Sequence, residues 1–216
     1  MTDQDLFADF DATEIQAIHA ARAHELRAEG DARALRVVQR IQARRAKGEK
    51  ALADILPERI AEGESWHVIS HGDVDALSYL AHALKSMPMD YVAISTWCIA
   101  KADLDQIEKW LDAGTIDQFE LYAGEIFPNQ YGDEYEQMLK MVKTYDCRLV
   151  IAKNHSKVTL AANEAEGYYL AIESSANVNT NPRIEQTAVH ASRDLFNFYR
   201  EFFSGLRSID RASKGT

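Results

Sequence analysis

The chain has 216 residues, 46% of them hydrophobic, a formal net charge of −10 and two cysteines. A mean hydropathy of −0.34, with no apolar run near the roughly 20 residues a membrane helix needs, argues against a membrane protein, and the acidic balance argues against a protein that coats nucleic acid along its whole surface. Cys98 and Cys147 sit in apolar surroundings without ligand-like spacing, so they are expected as reduced core residues, and a zinc site is set aside.

The N-terminus, MTDQDLFADFD, lacks the basic and apolar regions of a signal peptide, and a cytoplasmic location is expected. Residues 1–62 are rich in Ala, Glu, Arg and Gln and read as a helical N-terminal segment. The sequence Asp11-Ala-Thr-Glu14 is a capping signal for the first helix, and Gly30 and Gly48 are plausible breaks. Residues 1–31 hold eight acids against two arginines, whereas the following segment is basic. There Arg33, Arg36, Arg40 and Arg44 recur at helical spacing on one face, with Val38 and Ile41 on another. Such a stripe reads either as a solvated face or, more sharply, as a nucleic-acid contact.

From Trp66 the pattern becomes strands alternating with amphipathic helices, predicting one α/β domain over 63–208 and a flexible tail over 209–216. WHVIS, YVAISTW and FELYAGEIF read as strands, separated by the helices DALSYLAHALKS and DLDQIEKWLDAG; DEYEQMLKMVKTY is a third helix. RLVIAKNHSKVTLAA reads as one long strand, turning at NEAEG into the strand YYLAIESSAN, followed by IEQTAVH and a closing helix SRDLFNFYREFFSGL. The helix-linked strands imply parallel pairing, and the NEAEG turn implies an antiparallel hairpin within the same sheet.

In that reading His155 and Lys157, two apart in the middle of the long strand, project from one face. Ser174, Ser175 and Asn177 come level with them at the end of the partner strand. An imidazole, an ammonium, hydroxyls and an amide gathered at one place suit an anionic tetrahedral centre: the ammonium and polar donors hold phosphate oxygens while the imidazole attacks phosphorus.

These residues resemble the signature of the phospholipase D superfamily: H-x-K, an aspartate, G-S-x-N, then a trailing acid. His155-Ser156-Lys157 matches the first part, Ser174-Ser175-Ala176-Asn177 the third with serine for glycine, and Glu185 the last. Ala162 stands where the family carries its aspartate, with Asn163 and Glu164 adjacent. The resemblance implies a phospholipase D-like mixed sheet flanked by helices. It also implies a phosphodiesterase, similar to the single-motif bacterial endonucleases, that works without metal or cofactor through a phosphohistidine. Single-motif members pair as homodimers, so a homodimer is expected, with one His155 as nucleophile and the other as acid; Lys157 and Asn177 would hold oxygens, with Ser175 near them and Glu185 orienting a histidine. The expected partner is nucleic acid, DNA ahead of RNA. The alternative is a non-catalytic phospholipase D-like nucleic-acid-binding protein. A lipid substrate ranks last, since nothing looks like an interfacial apolar helix.

Three further features carry less. Asp73 and Asp75, after the first strand, read first as a helix cap and second as a metal pair. Glu125 could line the same crevice. The closing-helix aromatics divide between core and a dimer face.

Overall fold

A computed structural model describes residues 47–72, 74–179 and 183–210. The arginine stripe at Arg33, Arg36, Arg40 and Arg44 lies outside them, as does the tail from 211. A first helical segment, α1, is described over 47–55. It is followed by β1 (Ser65–Ser70), α2 (Ala76–Ser86), β2 (Met89–Thr96), α3 (Lys101–Asp112) and β3 (Ile116–Gly124). Then come α4 (Phe127–Gln130), α5 (Gly132–Thr144), β4 (Asp146–Ala152), β5 (Val158–Asn163), β6 (Tyr168–Ser174), β7 (Glu185–Ala191) and α6 (Arg193–Ser204).

Local chemistry explains the boundaries. Asp75 caps α2, its carboxylate accepting from Ser78 N–H at 2.8 Å, which is the cap reading of that loop; Asp73 lies outside the described residues. Gly114, just past α3, and Gly167, in the NEAEG turn, have φ of 64° and 62°, a region that favours glycine. Ser192 caps α6 by accepting from Leu195 N–H.

The seven strands form one sheet in the order β1-β7-β6-β5-β2-β3-β4. β2, β3 and β4 are parallel, as their helical connections require, and β5–β6 is the expected antiparallel hairpin. β1 does not join the parallel group: it runs antiparallel to β7 at the far edge. Alternation along the strands separates two faces. One face, with Val92, Ile94, Phe119, Leu121, Leu149 and Ile172, packs against helices that contribute Leu52, Leu80, Ile107 and Met138. The other, with Tyr91, Tyr122, Leu160 and Tyr169, packs under Phe196 and Phe203 of α6. Burying each of those phenylalanines contributes roughly 1.5–3 kcal/mol. Leu52, Leu56 and Ile60 belong to the first core, and the compact unit that holds the sheet runs from Arg44 to Thr216.

A second expectation also fails. The stretch read as a single long strand is two strands, β4 and β5, joined by residues 153–157 without regular structure. β4 lies at the parallel edge beside β3, while β5 lies between β2 and β6, antiparallel to β2. No straight strand can occupy both places, so the chain leaves the sheet, passes over the end of β3 and re-enters. His155 and Lys157 therefore stand on a loop at the carboxyl ends of β2, β3 and β4, not within a strand.

Candidate functional site

The crossing loop is pinned by one residue. Asn154 Nδ2 donates to Ser95 Oγ at 2.9 Å and to Tyr122 O at 2.8 Å, while its Oδ1 accepts from Ser156 N–H at 3.0 Å and Ser156 Oγ at 2.7 Å. One amide thus ties the loop to β2 and β3 and closes an Asx turn. The loop passes so close over β3 that a Cβ on Gly124 would lie 3.1 Å from Asn154 O and 2.8 Å from Trp97 O.

Held this way, His155 is exposed beside the Trp97 indole, ring centroids 5.6 Å apart. Lys157 Nζ donates to His155 O at 2.7 Å and sits 2.9 Å from His155 Nδ1. An ammonium can only donate, so Nδ1 accepts and the proton of the neutral ring is assigned to Nε2. Burial lowers the Lys157 pKa, opposed by the nearby Cys98 and Glu185. A phosphate would offer that lysine better acceptors than a neutral ring nitrogen, and drawing it away frees the Nδ1 lone pair.

The adjoining strands bring up the other residues. Ser174 N–H donates to Lys157 O at 3.0 Å, which sets the two motifs level. Ser175 Oγ donates to the Glu185 carboxylate and accepts from Gln186 N–H at 3.0 Å. Asn177 Oδ1 accepts from Trp97 N–H at 3.3 Å and Thr96 Oγ1 at 3.4 Å, so its amide is turned toward the end of β2. Behind it Cys98 is buried, with its thiol pKa raised by that burial. The geometry therefore places His155 and Lys157 in direct contact, Ser175 and Glu185 in a second contact, and Asn177 beneath the Trp97 backbone. Glu125 is exposed in the turn that leaves β3 at the same end of the sheet.

Ala162 is elsewhere. Five residues along β5 from Lys157, it is about 16 Å away at strand rise, fully buried opposite Tyr91 and Tyr169. Its neighbours do not compensate: Asn163 bonds Pro88 O and Glu166 N–H in the hairpin turn, and Glu164 accepts from the Tyr169 hydroxyl. Asn154 and Trp97 were not singled out as site residues in the sequence. The signal for Asn154 was present, an asparagine two residues before a serine in a stretch without glycine or proline; Trp97 carried none, because its contact with His155 spans 58 positions.

No family model matches the chain, and no curated protein matches it. Among solved structures, it is similar to polyphosphate kinase from Porphyromonas gingivalis (13% identity, TM-score 0.50, 68% of this chain and 27% of that one). Two others are TrmBL2, an archaeal chromatin protein (11%, 0.47, 78% and 63%), and phosphatidylserine synthase from Haemophilus influenzae Rd KW20 (10%, 0.46, 64% and 37%). The chain spans less than two thirds of each of these chains. The polyphosphate kinase likeness is one of fold, and the fold class is α/β, a phospholipase D-like mixed sheet flanked by helices.

Proposed function

We propose that the chain is a phosphodiesterase of the phospholipase D type, a metal-independent nuclease acting through a phosphohistidine. The observation that carries this reading is the 2.9 Å contact between Lys157 Nζ and His155 Nδ1 on a pinned, exposed loop level with Ser175, Asn177 and Glu185. Lys157 and Asn177 hold non-bridging oxygens, and Ser175, bonded to Glu185, lies next to them. A ring nitrogen of His155 attacks phosphorus, and the bond to the leaving oxygen breaks as that oxygen takes a proton from His155 of a second copy. Water then attacks the phosphohistidine, gives its proton back to the second histidine and releases the phosphate product.

The acid in this scheme calls for a homodimer, and α6 offers an apolar strip for an interface. Phe198 and Phe202, one turn apart, are 64% and 62% exposed, whereas Phe196 and Phe203 are buried. The nucleic-acid partner, DNA ahead of RNA, rests on Lys153 and Lys157 flanking His155 and on the stripe Arg33, Arg36, Arg40 and Arg44. A second reading, a phosphate pocket kept only for binding nucleic acid, draws on the buried Ala162.

One assay separates the two readings. Cleavage of DNA in EDTA is expected from the wild type and is lost in His155→Ala and Lys157→Ala with unchanged circular dichroism. Binding without cleavage selects the second reading. A monomer by light scattering at micromolar concentration would remove the proposed acid and sink the phosphohistidine route. If the arginines contact phosphates, affinity falls with salt at a slope of about −0.9 per neutralised phosphate, and Arg36→Glu with Arg40→Glu flattens it.

A further inference from the structure

A second group of reactive side chains lies on the α6 face of the sheet, on β1, β7 and β6. There α6 packs on β5 and β6, while β1 and β7 carry a more open surface on which Ile69 is 71% exposed. Ser65, His67 and Ile69 share this face by the two-residue period of β1, and Ser65 is paired directly with His190 of β7. Ser65 Oγ lies 2.7 Å from His190 Nδ1, and His190 Nε2 lies 3.1 Å from Glu173 Oε2. The other Glu173 oxygen accepts from the Tyr199 hydroxyl.

These contacts run in one direction. An ionised Glu173 only accepts, so Nε2 carries the ring proton and Nδ1 presents a lone pair to the Ser65 hydroxyl. Tyr199 stays a donor, because burial and Glu173 push its pKa up to about 12. The hydroxyl is therefore aimed at a base, the base is oriented by a carboxylate, and the carboxylate is itself held. That is the constellation that activates a serine as a nucleophile. Exposure is distributed to match: Ser65 is exposed, while the His190 side chain is 15% exposed. Next to this group, with Glu173 on its wall, a cleft of about 440 Å³ runs over β1, β7 and β6, lined by His67, Ile69, Ser174, Gln186 and Ala188.

We propose that Ser65, His190 and Glu173 form a second, independent nucleophilic site that takes the acyl group of small neutral carboxylic esters. Ser65 Oγ attacks the carbonyl carbon as its proton passes to His190 Nδ1; the carbonyl re-forms, the alkoxy bond breaks, and the departing oxygen leaves with that proton as an alcohol. Water then attacks the acyl-serine, losing a proton to the same nitrogen, and the carboxylic acid departs as Ser65 is reprotonated. The Glu173 carboxylate disfavours anionic esters, and Ala188, paired with His67 two residues along β1 from Ser65, gives a short acyl chain an apolar contact. Glu64 is the residue that accepts from Ala191 N–H across the ladder, at 3.0 Å. Alternation therefore turns the Ser65 N–H to the outer edge of β1, where it can meet the developing oxyanion. One such donor implies slow turnover and an accumulating adduct.

The test is covalent labelling of the full chain with an alkyl fluorophosphonate, in which Ser65 Oγ displaces fluoride and His190 takes the proton. The expected adduct maps, by fragmentation of the tryptic peptide Ile60–Lys85, to Ser65 and not to Ser70 or Ser78. It is absent in Ser65→Ala and forms at least tenfold more slowly in Glu173→Gln and His190→Ala, with added imidazole restoring part of the rate in the latter. Circular dichroism confirms that each variant is folded. No adduct on the wild type, an adduct on another serine, or an unchanged rate in folded His190→Ala overturns the proposal.

Discussion

Replacing Gly124 with alanine tests the close passage of the His155 loop over β3. A Cβ there would lie 2.5 Å from Trp97 Cδ1, 2.8 Å from Trp97 O and 3.1 Å from Asn154 O. The indole can swing aside, but the other two contacts are backbone. Trp97 O also accepts the Gly124 N–H at 3.2 Å, and Asn154 is the residue that pins the loop. Relief therefore requires the loop to lift by several tenths of an ångström. Overpacking of this kind costs about 1–3 kcal/mol, less the roughly 0.4–1 kcal/mol that alanine contributes by restricting the unfolded chain. A net loss of about 1–2 kcal/mol lowers the melting temperature by roughly 2–8 °C for a chain of this size. Activity should suffer more than stability, since a displacement near 1 Å at a reacting group can cost about a hundredfold. Thermal unfolding by circular dichroism and phosphodiester turnover well below the melting point measure the two effects. An alanine variant that melts within 1 °C of the wild type and turns over normally would show that the loop does not depend on this contact.

Three more outcomes are expected. Glu120 is buried and accepts from Tyr91 at 2.9 Å and from Tyr122, with Arg148 3.9 Å away; Glu120→Gln should cost about 1–3 kcal/mol by urea denaturation with an unchanged m value, and a neutral result would mean the network is dispensable. Because burial lowers the Lys157 pKa, its charge is lost at a lower pH than that of an ordinary lysine. In the window between the two values, phosphate affinity should fall with rising pH. The same shift favours the neutral form in the fold, so Lys157's own contribution to stability rises with pH across that window and is lost as pH falls through the folded value. Calorimetric titration against inorganic phosphate follows the first effect, which Lys157→Arg should move to higher pH. Cys98 is buried and the Cys147 thiol is pushed up to about 12 by burial and Asp146; neither should react with a disulfide reagent at pH 8 until urea is added, and a fast native thiol would refute this.

Much of the fold was legible because its elements announce themselves locally. The α2 cap, the glycine after α3 and the NEAEG turn are all set by residues within a few positions of one another. The break between β4 and β5 escaped because apolar residues flank it on both sides and no glycine or proline interrupts it; only Asn154, through its Asx turn, marks the departure. The sheet order was out of reach for a different reason. β1 pairs with β7 across 120 or so residues, a choice made by burial on the two faces rather than by local preference. At the site, hairpin register sets Ser174 level with Lys157, a pairing that the spacing of the two motifs around the NEAEG turn already carried. The Ser65–His190–Glu173 group could not be anticipated, as its members belong to three strands that only the antiparallel half of the sheet assembles.

The loop that carries His155 is also a tether with little slack. Its ends are fixed at β4 and β5, three strand positions apart, a gap of about 14 Å at ordinary strand spacing. The five residues 153–157 can reach about 20 Å at most when fully extended, so some two thirds of their length is consumed by the span alone. A nearly taut connection has few conformations to lose, and it holds the histidine in place without enclosing it, leaving the ring exposed. Removing two residues would leave too little chain to cross, whereas the turn at 164–167 is tied down from outside its hairpin by Arg59 on Glu166, by Arg200 on Glu164 and by Asp90, which accepts the Glu164 N–H.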